Sequence, residues 1–349
     1  MKTTLVIFLF WILCAGSATM ARAVCVGASV NSFGAKGDGH TDDTAAIQSA
    51  INAAASAGGG SVVFGVARYY TTGTFIVPQG VVLCGTVEGP FDVAGVNPAL
   101  TTIAPTILVT NTVNTFLTLQ GIGAGVTDLL FHYPNQMPSI APMPTPYPYT
   151  IKVTNPGTKV ARSTVTNAYN FLDIEVGRTM AQDLFIGAFN TGVNINNAYD
   201  HDTLRNVVNQ VFWDILENVP YPRPIDNWVL SNGTALVVGV ADLEVHNFFA
   251  FSRFAGIVLN ASGNCGTALG SDIDLDTVQY GIIVSEACTL PGSIFTNVDI
   301  GAAPGLGQAA VQIATGGKLE INGGSQRGTW ALGAYPPNGP ETIIVNILP

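Results

Sequence analysis

Charge is what this sequence has least of. Only 10% of its 349 residues are Asp, Glu, Lys or Arg, against about 25% in an ordinary soluble domain. The 13 Lys and Arg residues are scattered. No basic patch exists to neutralise phosphates, which excludes a nucleic-acid partner. Long apolar runs are also missing. After the first 23 residues no stretch approaches the ~18 apolar residues a membrane span needs. Disorder is excluded from the opposite side, because 48% of the chain is hydrophobic. What remains is a chain that buries much of itself while needing few charges.

The N-terminus carries what the rest lacks. Lys2 precedes a ten-residue apolar core, Leu5 to Cys14, and Ala21-Arg22-Ala23 forms an A-x-A site. This pattern predicts a signal peptide over residues 1–23 and an extracellular or periplasmic destination, with no membrane contact after cleavage. Cleavage would remove two basic residues and no acid, leaving 11 basic against 23 acidic residues, net −12. Four cysteines would remain: Cys25, Cys84, Cys265 and Cys288. They are too widely spaced for a zinc knuckle. In an exported chain they allow two disulfides in any of three connectivities.

One long helix is predicted, over residues 41–57. Thr41 stands at its start, Asp42 and Asp43 suit its positive end, and Gly58-Gly59-Gly60 stops it. Ile47, Ala50, Ile51 and Ala54 form one apolar stripe. After it come many short Val-, Ile-, Thr- and Phe-rich strands broken by Gly, Asn and Pro. Internal repetition decides how they assemble. The segments TGVNIN, TALVVG, AGIVLN, YGIIVS and AAVQIA recur with anchors at Val193, Ala235, Ile257, Ile282 and Val311. Coils of roughly 22–29 residues predict a parallel β-helix, one domain over residues 24–349. The long first interval holds an insertion around Pro220–Asp226. Stacked coils explain the missing charge, since their turns use Asn, Gly and Thr. Cys265 and Cys288 lie about one coil apart, which predicts a disulfide between adjacent coils about 4.8 Å apart.

Residues 30–86 carry the pieces FGAKGDG, TDDT, AIQSAI, GGGSVVF and PQGVVLCG. Together they resemble the N-terminal segment of the pectate-lyase-like right-handed β-helix superfamily, which includes family 28-related glycoside hydrolases and rhamnogalacturonase/epimerase-like domains. The resemblance implies an all-β, right-handed parallel β-helix with an N-terminal capping helix, and a polysaccharide as partner. It implies no required cofactor for a hydrolase, and it admits Ca²⁺ for a lyase and a trimeric homo-oligomer. Family 28 hydrolases use Asn-Thr-Asp, a paired Asp-Asp, Gly-His-Gly and Arg-x-Lys. Here Asn190-Thr191-Gly192 lacks the Asp, and no Gly-His-Gly is present. Inverting hydrolysis needs two carboxyl groups about 6.5–9.5 Å apart, and this chain does not supply them in the family 28 manner.

The densest polar cluster is Tyr199, Asp200, His201, Asp202 and Arg205. Two acids, an imidazole and a guanidinium supply the ingredients of acid/base chemistry and a cationic subsite. Asp173 and Glu175 precede it by about one coil, and Trp213 and Asp214 follow. These residues are the expected site, against the plainer reading of a solvated turn. Asp272, Asp274 and Asp276 alternate, so on a regular strand all three face one way and could ligate Ca²⁺. Asp242, Glu244 and His246 alternate likewise. Arg253 lies about one coil before Asp272 and is an expected contact for a uronate. The proline-rich stretch 134–148 carries Tyr133, Tyr147 and Tyr149 at its edges, rings that could stack sugars or pack inward. The expectation is a polysaccharide hydrolase or lyase; the alternative is a glycan-binding or structural β-helix protein without catalysis.

Overall fold

Strands with alternate apolar side chains bury one side, and coiling lets successive strands share one buried column. The computed structural model describes residues 25–93, 96–136, 141–196, 198–210, 223–239, 241–259, 266–285, 292–302, 310–313, 318–327, 333–334 and 342–346. Its strands pair in parallel, each with its equivalent in the coils before and after, as a right-handed parallel β-helix. Three faces result. On the first, one inward row runs Ala28, Val62, Leu83, Val126, Val160, Ala181, Leu204, Val245, Gly270, Phe295 and Ile321. On the third, the row is Val193, Leu236, Ile257, Ile282 and Val311. Four of the five predicted anchors are therefore in register. Ala235 is one residue early: it and Leu236 are both fully buried, and only pairing distinguishes them. A full turn takes 21 residues between Asp173 and Asn194 and 25 between His246 and Ser271.

Between the first and second faces the chain turns on a single residue. Asp128, Arg162, Asp183, Asn206, Asn247, Asp272 and Asn297 occupy this corner, with φ between 44° and 61°. Asn and Asp tolerate this left-handed conformation better than other side-chain-bearing residues. Stacking then links them along the axis. Asn206 Nδ2 donates to Asp183 Oδ1 at 2.8 Å, Asn247 Nδ2 to Asn206 Oδ1 at 3.1 Å, and Asn297 Nδ2 to Asp272 Oδ1 at 2.7 Å. Arg162 donates from Nε to Asp128 Oδ1 at 2.7 Å.

The helix α1, Thr44–Ser56, buries Ile47, Ala50, Ile51 and Ala54, the predicted stripe, against the first coil. It begins later than predicted because the acids before it serve the coil. Asp38 accepts from the His40 and Thr41 N–H groups and from Thr41 Oγ1. Asp42 accepts from Thr44 Oγ1 and Thr72 Oγ1, and Asp43 from the Lys36 and Gly37 N–H groups at 2.6 and 3.1 Å. The GDGHTDDT motif is thus a set of carboxylate ties for the cap. A second helix, α2, Pro224–Asn232, falls in the predicted insertion and packs Ile225 and Val229 on Phe189. Among the described residues no helix is long and apolar enough to cross a membrane. A disulfide joins Cys25 to Cys84, with Cα atoms 6.2 Å apart. Cys265 and Cys288 lie outside the described residues.

Candidate functional site

The strand Tyr149–Val153 pairs with the end of Lys159–Ile174, and that with the end of Met180–Ile195. Ile151, Leu172 and Val193 face the column, so their neighbours Lys152, Asp173 and Asn194 stack outward on three successive coils. Asn194 Nδ2 donates to Asp173 Oδ1 at 2.7 Å. Lys152 Nζ lies 2.7 Å from Glu175 Oε1 and 3.9 Å from Asp173 Oδ2. Lys152 and Glu175 are about a third exposed, whereas the Asp173 side chain is only 9% exposed. Burial pushes the Asp173 carboxyl up, the Glu175 charge adds to this, and the Asn194 bond and Lys152 oppose it. Tyr149 is half-buried beside them; burial first, then the Asp173 charge, raise its hydroxyl, which bonds Thr191. Asn190 Nδ2 donates to Asn170 Oδ1 at 2.8 Å on the same face. The arrangement offers a shielded carboxyl able to hold a proton, a second carboxylate, an ammonium and several amides.

The expected cluster is split between faces. Asp173 and Glu175 belong to the third face. Asp200, His201, Asp202 and Arg205 lie at the next corner and on the first face. Asp200 is exposed and paired with Arg178. Glu244 is the hub of the remainder: its Oε2 lies 3.2 Å from Arg205 Nη2, 3.6 Å from His246 Nε2 and 3.9 Å from His201 Nε2. His246 Nδ1 lies 2.9 Å from Ser271 Oγ, whose hydroxyl donates to Asp272 Oδ2. Asp202 is fully buried, accepting from the Thr179 N–H at 2.7 Å while Oδ2 has no partner. Burial pushes its carboxyl up to about 7. It is closed to substrate, which corrects its expected catalytic place.

Other expected contacts are corrected too. Arg253 is fully buried, donating to the Ala188 carbonyl and to Asn209 Oδ1, so it braces the coil instead of meeting a uronate. Tyr133 and Tyr147 are core residues in edge contact at 4.9 Å, with Tyr133 bonded to Thr150 Oγ1. Only Tyr149 of the three reaches the outer face. Asp272 breaks the predicted alternation: its left-handed backbone, φ 58°, sets it at the corner, apart from Asp274 and Asp276 on the second face. The three aspartates do not form one ligand set. The Tyr199 side chain, Trp213 and Asp214 lie outside the described residues. Sequence reasoning missed Lys152 and Asn194. Their signal was the outward position in YTIKV and GVNIN, readable once coils 152, 173 and 194 are superposed.

Residues 27–117 match the family described as Rhamnogalacturonase A/epimerase, pectate lyase-like. Alginate lyase 7 of Azotobacter vinelandii is 58% identical over 45 residues, 13% of this chain and 5% of the lyase. Mannuronan C5-epimerase AlgE3 of the same organism is 56% identical over 45 residues, 13% of this chain and 2% of the epimerase. The chain thus matches only a small part of these relatives' length. Among solved structures, the Agl-KA catalytic domain superposes with a TM-score of 0.50 at 14% identity, covering 94% of this chain and 67% of that one. That likeness concerns the fold. The family match ends before Tyr149 and Lys152, so it reports on the cap and first coils and not on the polar third face. Residues 27–117 are thus similar to the Rhamnogalacturonase A/epimerase, pectate lyase-like family, and the described chain has the right-handed parallel β-helix fold.

Proposed function

We propose that this is an exported polysaccharide-cleaving enzyme, a hydrolase or lyase, whose substrate lies along the outer side of the third face. The observation that carries the reading is the stack of Lys152, Asp173 and Asn194, with Asp173 shielded and raised and Glu175 held beside it by Lys152. Breaking a glycosidic bond by hydrolysis or by elimination requires a proton for the leaving oxygen. Asp173 is suited to deliver it, because burial favours its protonated form. Glu175 is the second carboxylate, and Lys152, Asn194 and Tyr149 position the sugar. The matched relatives include an alginate lyase, which supports a polysaccharide as substrate class.

The test is a panel of neutral and acidic polysaccharides, scored by reducing ends and by absorbance of unsaturated products, with and without Ca²⁺. Asp173→Asn is expected to lower kcat at least ~100-fold with the circular dichroism spectrum unchanged. Full activity in that variant would remove Asp173 from the mechanism. The missing family 28 acids favour one second reading, a glycan-binding β-helix without catalysis. Retained binding with no product from any polysaccharide would establish it.

A further inference from the structure

A second site lies on the opposite flank of the coil. The left-handed corner between the first and second faces borders a groove of about 440 Å³, within the range of small-ligand sites. Its one rim is the corner ladder, where Arg162, Asp183, Asn206 and Asn247 occupy four successive coils. Its floor is Phe185 and Val208, register partners on adjacent coils of the second face and both half-buried. Its end wall is the Glu88-Gly89-Pro90 segment.

That wall is built into the fold. The Gly89 N–H donates to Asp128 Oδ1 at 3.1 Å. Thr164 Oγ1 accepts from the Phe91 N–H at 2.7 Å and donates back to the Phe91 carbonyl at 3.0 Å. A Cβ at position 89 would lie 2.2 Å from the Arg162 carbonyl oxygen, so only glycine lets the segment approach the ladder this closely.

We propose that this groove binds a neutral glycan segment lying parallel to the coil axis. Three observations select that ligand. Side chains of the ladder repeat at the coil spacing, about 4.8 Å, which is close to the advance per sugar in an extended chain. An aromatic and an aliphatic side chain form the floor while amides and carboxylates form the rim, which suits a ring with an apolar face and hydroxyl edges. Each ladder asparagine spends one amide hydrogen on its neighbour and has a second to offer. The charges reject an anion: Glu88 and Asp183 line the groove, and Arg162 is already paired with Asp128 at 2.7 Å. The site therefore differs in place from the proposed cleavage face, and it would hold a polymer on the protein without touching the bond being cut.

The test uses the full chain carrying Asp173→Asn, so that binding is read whether or not Asp173 cleaves. Cellohexaose, mannohexaose, xylohexaose and maltohexaose are titrated in by calorimetry. At least one should bind. Two groove variants should each weaken it tenfold or more. Asn206→Gly with Asn247→Gly keeps the left-handed backbone and removes the amides. Val208→Trp fills the floor and leaves the ladder intact, so it serves if the first variant fails to fold. The proposal is overturned if none of the four sugars binds at millimolar concentration. It is equally overturned if a folded groove variant binds as its parent does, or if only Lys152→Met weakens binding, which would place the sugar on the third face.

Discussion

Asp202 gives the most direct physical test of the structure. Its carboxyl is fully buried at the corner below Asp200, with Oδ1 accepting from the Thr179 N–H and Oδ2 unpartnered. Burial lifts it from 3.8 to about 7; the Thr179 bond opposes, and the charges of Asp200 and Asp242 add. In the unfolded chain the same group titrates near its ordinary value. Between the two values the folded protein holds a proton that the unfolded chain has released, so this group makes stability fall as pH rises. Its contribution is intact below about pH 4, shrinks steadily to about pH 7 and then levels off. The gap from 3.8 to about 7 corresponds to roughly 4 kcal/mol. Most buried carboxylates in ion pairs act in the opposite direction. Asp202→Asn keeps the acceptor for Thr179 and removes the titration. Urea unfolding at pH 5 and pH 8 should show the wild type losing about 2–3 kcal/mol more than the variant over that interval. The variant should be the more stable of the two at pH 8. Parallel pH dependence in the two proteins would refute the reasoning.

Three further outcomes follow from packing. A Cβ at Gly270 would meet Phe295 Cδ1 at 2.6 Å and the Val245 carbonyl at 3.0 Å, so Gly270→Ala should cost about 1–3 kcal/mol in urea unfolding; Phe295→Leu in the same chain should recover part of it. The Cys25–Cys84 bridge closes a separation of 59 residues, worth about 4 kcal/mol by chain entropy; Cys84→Ser should lower the thermal midpoint and reduce its sensitivity to reductant. Arg253→Met should destabilise the fold by about 3 kcal/mol or more, since it leaves buried acceptors unpaired. If the proposed cleavage activity is found, its KM should be unchanged in the folded variant, whereas a role in holding substrate would raise KM.

Much of the architecture was legible because it depends on local rules. The stripe Ile47, Ala50, Ile51 and Ala54 is set by helical spacing, and Val193, Ile257, Ile282 and Val311 recur because each coil must return the same side to one column. The site was less legible because outward residues obey no such rule. Asp173 and Asp202 look alike in sequence, one coil apart in polar surroundings. Coiling leaves Asp173 on the outer side of the third face beside Lys152 and Asn194 and closes Asp202 under a corner. Asp272 looked like a strand residue because alternation is read from spacing, while its left-handed backbone is imposed by the corner that Asn247 and Asn297 share above and below it. Arg253 looked available because charged residues are seldom buried, yet Asn209 on the preceding coil and Ala188 on the coil before that give it partners. The sequence by itself determined the repeat, the inward rows, the cap and the scarcity of charge, since all of these follow from burying one side of each short strand. Only the tertiary structure decided which polar side chains meet, because that depends on the register between coils and on the residue at each corner, where a shift of one position moves a side chain from column to surface.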